Sequence, residues 1–187
     1  MKIFGIGLPK TGTTSLYAAL HGLGYRSATF GHLKEMRPDA WLDGDFSPDY
    51  LAELDAVTDT PIPTYYPQLD VRYPGSKFIL TVRDPDAWLE SCRRHFEPLD
   101  AGDGPDEYGR TTRLALWGVR RFSADRFRYV YRTHDLTARA YFEDRPGDLL
   151  ALDLGTGEGW AELCGFLDKP IPDEPFPQVQ PGWRPPA

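Results

Sequence analysis

Residues 2–24 read KIFGIGLPKTGTTSLYAALHGLG. Lys2 to Gly7 is a short apolar run ending in glycine, and Leu16, Ala19, Leu20 and Leu23 then recur at i, i+3, i+4 and i+7. The segment is therefore a strand, a Gly-rich loop and an amphipathic helix. Gly24 stands where a helix needs a residue in the left-handed conformation to stop.

Outward from this unit the alternation continues. YRSATF, 25–30, suits a second strand, and 31–54 is a weakly patterned, partly helical connection. A strand at Ala56 to Asp59 is stopped by Pro61 and Pro63. KFILTV, 77–82, is continuously apolar, as a strand covered on both faces would be. In the following RDPDAWLESCRRHF, Asp84 caps a helix, Pro85 takes its first position, and Trp88, Cys92 and Phe96 share a face. A Gly- and Asp-rich loop precedes helices expected at about 108–122 and 125–143, a strand at 148–154, and a last helix carrying Trp160, Leu163, Cys164 and Leu167. Strands alternating with helices imply an α/β three-layer sandwich with a mainly parallel sheet, whose ligand belongs at the carboxyl ends of the strands. Residues 1–169 form one domain. The tail, 170–187, holds 7 Pro in 18 residues and is expected to lie extended on the surface or partly disordered.

Composition narrows the functions. The 187 residues carry 21 Lys and Arg against 28 Asp and Glu, a formal charge of −7, which argues against a nucleic-acid or anionic-membrane binder and makes any anion site local. Cys92 and Cys164 lie in helical patterns outside any Cys/His cluster, which argues against a disulfide framework or a zinc site. With no stretch approaching a membrane span and an N-terminal apolar run too short for a signal sequence, the expectation is a cytoplasmic protein.

The loop from Gly7 to Thr14 converges backbone N–H groups and a helix N-terminus on one anion-sized space. Its glycines have the GxxxxGK[ST] spacing, but Thr13 stands in place of the lysine, and the loop's own cation is Lys10. A plain Gly-rich turn explains the glycines. It does not explain Lys10 together with Thr11, Thr13 and Thr14. A second candidate lies at the end of the 77–82 strand: Arg83 can reach an anion over the sheet edge, and Ser91, eight residues on, returns to nearly the same helix face. Alone, Arg83 is equally explained by an ion pair with Asp84 or Asp86, and Ser91 by a solvated hydroxyl.

PKTGTT after the first strand and VRDPxxWxxS after a later one resemble the two cofactor signatures of the sulfotransferases that use 3′-phosphoadenosine 5′-phosphosulfate (PAPS). IGLPKTGTTSLYAALHGLGY, KFILTVRDPDAWLES and LLALDLGTGEGWAELCGFLDKPIPDEPFP are similar to small bacterial and fungal members. The resemblance implies that the loop residues Lys10, Thr11, Gly12, Thr13 and Thr14 hold the 5′-phosphosulfate, and that Arg83 and Ser91 hold the 3′-phosphate. It also implies a small-molecule acceptor, adenosine 3′,5′-bisphosphate (PAP) as product, and no metal. Lys10 would meet charge on the leaving phosphate. Where many members carry a Thr-His-x-Pro base, this chain has Thr58-Asp59-Thr60-Pro61, so Asp59 is the first candidate base. Among charged partners its pKa is expected to be lowered, which makes a weaker base and suits orienting the acceptor or holding Lys10 instead.

His95 is the best placed alternative, with His32 and His134 behind it and His21 last. Seven arginines between Arg110 and Arg132, against Asp125 alone, form solvated helix faces or contribute one or two side chains to the 3′-phosphate or to an anionic acceptor. Tyr108, Trp117 and Phe122 are pocket walls or core, and Trp88 either stacks near an adenine or packs inside. Two competing readings are a kinase-like transferase using ATP with magnesium, and a non-catalytic bisphosphate binder. The acceptor and the oligomeric state are open.

Overall fold

The computed structural model of the protein describes residues 1–30, 43–45, 51–101 and 104–179. The first unit forms as its pattern dictates, with β1 at Ile3–Gly5 and α1 at Thr13–Gly22. Gly24, at φ +84°, ends the helical turn, its N–H donating to the His21 carbonyl. Next come β2 at Ser27–Ala28, β3 at Ala56–Thr58, α2 at Ile62–Arg72 and β4 at Lys77–Val82. The chain continues through α3 at Pro85–Ala101, α4 at Glu107–Trp117, α5 at Ala124–Tyr141, β5 at Leu149–Asp153 and α6 at Trp160–Leu167.

The five strands form one sheet in the order β2-β3-β1-β4-β5, every pair parallel. Because side chains alternate across a strand, adjacent residues feed opposite layers. Phe4, Val57, Phe78 and Leu80 pack on one side with Tyr66 and Leu69 of α2 and Ala138 of α5. Ile3, Ala56, Ile79 and Leu152 pack on the other with Leu16 and Leu20 of α1 and Leu163 and Cys164 of α6. The three-layer α/β sandwich is thus built by strands apolar on both faces. A third cluster, Trp88, Cys92 and Phe96 of α3 with Trp117, Phe127 and Tyr131, stands over the carboxyl ends of the strands.

Three local expectations are corrected. The prolines that stop β3 also start a helix: Pro63 lies in the first turn of α2, where its missing N–H costs nothing. The strand expected at 25–30 pairs over Ser27–Ala28 only. Finally, α4 stops at Trp117 because Gly118 turns left-handed at φ +68°, where a Cβ would lie 2.7 Å from Arg126 Nη2. In the tail, Trp160 Nε1 donates to the Glu174 carbonyl at 2.8 Å and Phe176 packs on the same indole, 4.9 Å between ring centroids. Val179 N–H reaches Ser15 Oγ at 3.3 Å, so the described tail lies across α6 and ends at the N-terminus of α1. No described helix is long and apolar enough to cross a membrane.

Candidate active site

In this sheet the chain leaves β1 toward one side and β4 toward the other, so a crevice opens over their carboxyl ends. Into it come the loop after β1, Asp59 after β3 and Arg83 after β4. Together with α3, α4 and Val179 they line one cavity of about 610 Å³.

The loop's shape is enforced by its neighbours. A Cβ on Gly7 would lie 1.9 Å from Thr81 Oγ1 and 2.7 Å from the Thr81 carbonyl, so only glycine lets the loop pass β4. Thr11 Oγ1 donates to the Leu8 carbonyl at 2.7 Å and lies 2.6 Å from Thr81 Oγ1. Thr11 is buried and is not part of the cavity wall: its hydroxyl, expected at the cofactor, instead ties the loop to β4. Trp88 Nε1 donates to the Pro9 carbonyl at 2.9 Å, and Arg83 Nη1 to the Lys10 carbonyl at 3.4 Å. Lys10 at φ +75° and Gly12 at φ +108° then turn the chain left-handed into α1. That helix begins with no side-chain cap and no acidic residue in its first turn. Its first N–H groups lack intrahelical acceptors, and Thr13, Thr14 and Ser15 line the cavity. The Leu8, Pro9 and Lys10 carbonyls are occupied and the Thr11 amide closes on Leu8, while the first amides of α1 lack acceptors within the helix, the arrangement of a backbone nest.

Asp59 follows β3 at φ +72°, a conformation that Asp tolerates better than most residues. Its carboxylate accepts from Thr60 N–H at 2.7 Å and from Thr13 Oγ1 at 3.0 Å. The lowered pKa expected from sequence is reversed. Burial pushes this carboxyl above the usual range, outweighing the Thr60 and Thr13 hydrogen bonds and the Lys10 charge that act the other way. Burial also pushes the Lys10 ammonium down, partly offset by Asp59.

Arg83 does not pair with the acids beside it in sequence. Asp84 Oδ1 caps α3 by accepting from Ala87 N–H at 2.9 Å, and Asp86 lies 3.7 Å from Arg128. Among the described residues no carboxylate neutralises Arg83, although the chain is acidic overall. Its backbone is clamped instead: Tyr131 Oη accepts from Arg83 N–H at 3.0 Å and donates to its carbonyl at 2.5 Å. Ser91 and His95, on α3, line the same cavity, and burial lowers the His95 pKa.

The remaining sequence candidates separate clearly. Trp88 is fully buried and holds the loop rather than facing the cavity. His134 Nε2 lies 2.7 Å from the Ile6 carbonyl, fixing the root of the loop from α5. His21 sits in the last turn of α1, outside the cavity wall, and His32 lies outside the described residues. Of the seven arginines, Arg113 alone lines the cavity, whereas Arg126 Nε, for example, is bonded to the Trp117 carbonyl. Sequence reasoning missed the apolar wall of Phe30, Phe96, Leu99 and Leu116, since their spacing is that of ordinary core. Among the described residues no three His, Cys, Asp or Glu side chains cluster as a metal site.

Burial lowers the His134 pKa, so the folded state binds its proton less readily than the unfolded chain. Stability from this group is complete above the unfolded value of about 6.5 and is lost as pH falls below it. His134→Gln keeps a donor for Ile6 but cannot protonate. The loss of melting temperature between neutral and mildly acidic buffer is expected to be smaller in His134→Gln than in the wild type, and equal losses would exclude this role.

A three-layer parallel α/β protein with a Gly-rich loop between its first strand and an uncapped helix, and after β4 an arginine that no described carboxylate neutralises, defines a class of open parallel-sheet fold. Its members carry their ligand over the carboxyl edge of the sheet. The chain matches the sulfotransferase domain model over residues 2–182 and belongs to that family. It is also 30% identical over 216 aligned residues to Ava biosynthesis cluster protein M of Aspergillus versicolor, an alignment covering 96% of this chain and 80% of that protein.

Proposed function

We propose that this protein transfers a sulfuryl group from PAPS to a hydroxyl or amine of a small-molecule acceptor, releasing PAP. The observation that carries the reading is the pairing, in one cavity, of Lys10 and the uncapped helix start at Gly12 to Ser15 with Arg83, a cation that no described carboxylate neutralises. Two separate anion grips suit a donor with phosphate at both its 5′ and 3′ positions. Bound there, the donor supplies an activated sulfuryl group whose departure leaves charge on a phosphate oxygen.

The chain's residues divide the remaining work. The first amides of α1 and the Thr14 hydroxyl bind the 5′ end, the Thr13 hydroxyl being spent on Asp59, while Arg83 and Ser91 bind the 3′-phosphate. Lys10 donates to the charge that grows on the leaving oxygen. Asp59 accepts the acceptor's proton, helped by the burial that raises its pKa toward working pH. Thr60 N–H and Thr13 Oγ1 hold that carboxylate in place.

Calorimetric titration with adenosine 3′,5′-bisphosphate in magnesium-free buffer tests the reading. Binding is expected, and Arg83→Ala is expected to weaken it by roughly 10- to 100-fold, the value of a charge-assisted phosphate contact. Selective binding of Mg-ATP, or bisphosphate binding indifferent to Arg83, would overturn it.

A further inference from the structure

The wall of the cavity built by the end of α3 and by α4 is apolar, formed by Phe96, Leu99, Leu116 and Trp117, with one charged side chain set in it. That side chain is Arg113, only 7% exposed. Its Nη1 donates to Asp100 Oδ1 and, at 3.3 Å, to the Arg120 carbonyl, and its guanidinium lies 4.9 Å from the Phe96 ring centroid. Asp100 is itself fixed by accepting from Phe122 N–H at 2.6 Å, so the guanidinium is held from two sides. Its Nη2 is buried and has no hydrogen-bond partner among the described residues. The neighbouring Thr112 hydroxyl offers nothing to it, being bonded back to the Tyr108 and Gly109 carbonyls.

A buried guanidinium donor left unmet is costly, and because Arg113 lines the cavity, a ligand oxygen that displaces the side chains covering Nη2 can meet it. The charge of that ligand follows from the pair behind it. Arg113 and Asp100 are both buried, with side chains 8% and 13% exposed, and together they are neutral. A carboxylate placed against them would leave a net negative charge in an enclosed apolar wall, whereas an uncharged oxygen completes the donor without adding charge. The other unpaired cations of the cavity, Lys10 and Arg83, are taken by the donor phosphates in the reading above, on which this step rests.

We infer that Arg113 is the specificity-determining residue of the acceptor subsite, and that the acceptor presents to it an uncharged oxygen, as carbonyl, ether or hydroxyl, on an apolar ring-bearing body. Phe96, Leu99, Leu116 and Trp117 cover that body. An anionic acceptor, which the arginine-rich stretch by itself would suggest, is disfavoured by the presence of Asp100.

Three naphthols of matched size test this, substituted at the end remote from the hydroxyl with acetyl, isopropyl or carboxylate. Their binding is measured by calorimetry with and without saturating adenosine 3′,5′-bisphosphate. The acetyl compound is expected to bind the wild type about tenfold more tightly than the other two, the value of one charge-assisted hydrogen bond. Arg113→Met is expected to bring the acetyl-to-isopropyl ratio close to one and to leave bisphosphate affinity unchanged. Should Arg113→Met not fold with Asp100 unpaired, Arg113→Met combined with Asp100→Asn carries the same comparison, and the wild-type ranking stands without either. Equal binding of the three, preference for the carboxylate, or an acetyl preference that survives loss of Arg113 overturns the inference. Bisphosphate binding without any naphthol binding overturns it too, while leaving the sulfuryl-transfer reading in place. Absent bisphosphate binding removes that reading instead, and the ranking measured without bisphosphate still decides the role of Arg113.

Discussion

Lys10→Met is expected to lower the turnover of PAPS by about 10²- to 10³-fold while weakening adenosine 3′,5′-bisphosphate binding by less than about tenfold. The asymmetry follows from how the loop is held. The Pro9 and Lys10 carbonyls are fixed by Trp88 and Arg83, and Thr11 is tied to Thr81, so every contact that shapes the loop is made by other residues or by backbone. Methionine keeps the length of the side chain and meets the same positive φ without the charge. What is lost is an ammonium that burial has already stripped of part of its water. Such a group gains most when negative charge appears beside it, and that charge is largest as the donor's S–O bond breaks. Single-turnover rates, set beside calorimetric affinities, separate the two effects. Equal losses in rate and in affinity would show that Lys10 only binds.

Asp59→Asn is expected to cost about 10²- to 10⁴-fold in kcat/KM and to remove the acid limb of its pH profile. Asparagine retains an oxygen for Thr60 N–H, and its amide can donate to Thr13 Oγ1, so melting temperature and bisphosphate affinity are expected to hold. In the proposed reading Asp59 works as base only when ionised. Since burial raises the Asp59 pKa, activity is expected to fall with acid above the usual carboxylate range. His95 titrates toward the same region from the other side, its pKa lowered by burial, so the position of the limb does not by itself name the residue. The variants do: the limb is expected to persist in His95→Gln and to disappear in Asp59→Asn. The opposite pattern would move the base to His95.

Much of this fold is legible along the chain because it rests on local pattern. The periodicity of Leu16 to Leu23, the apolar run at 77–82 and the Asp84-Pro85 start of α3 each reappear in the structure where their chemistry puts them. The misread elements are those where one local signal has two meanings. Pro61 and Pro63 end a strand and begin α2, and only the burial of Ile62, Tyr66 and Leu69 against the sheet shows that a helix follows. Gly118 ends α4 early by turning left-handed, and Arg126 from the next helix then takes the freed Trp117 carbonyl.

The candidate site divides in the same way. Gly7, Lys10, Gly12 and Arg83 could be singled out from sequence alone, because a strand-loop-helix unit aims its backbone amides by local geometry. Which hydroxyl faces the cavity was not local: Thr11 and Thr13 are two residues apart, yet Thr81 takes the first and Asp59 the second, from 70 and 46 positions away. The direction of the Asp59 pKa also came from the fold, since charged neighbours can be counted in a sequence but burial cannot. Arg113 was one arginine among seven until packing placed Asp100 behind it and left its Nη2 without a partner among the described residues. The sequence by itself determined the alternation of elements and the place of the Gly-rich loop before α1, because both follow from spacing within a few turns of chain. Tertiary structure alone decided which polar groups are spent within the protein and which are left for a ligand, because hydrogen-bond partners and desolvation are set by residues distant in sequence.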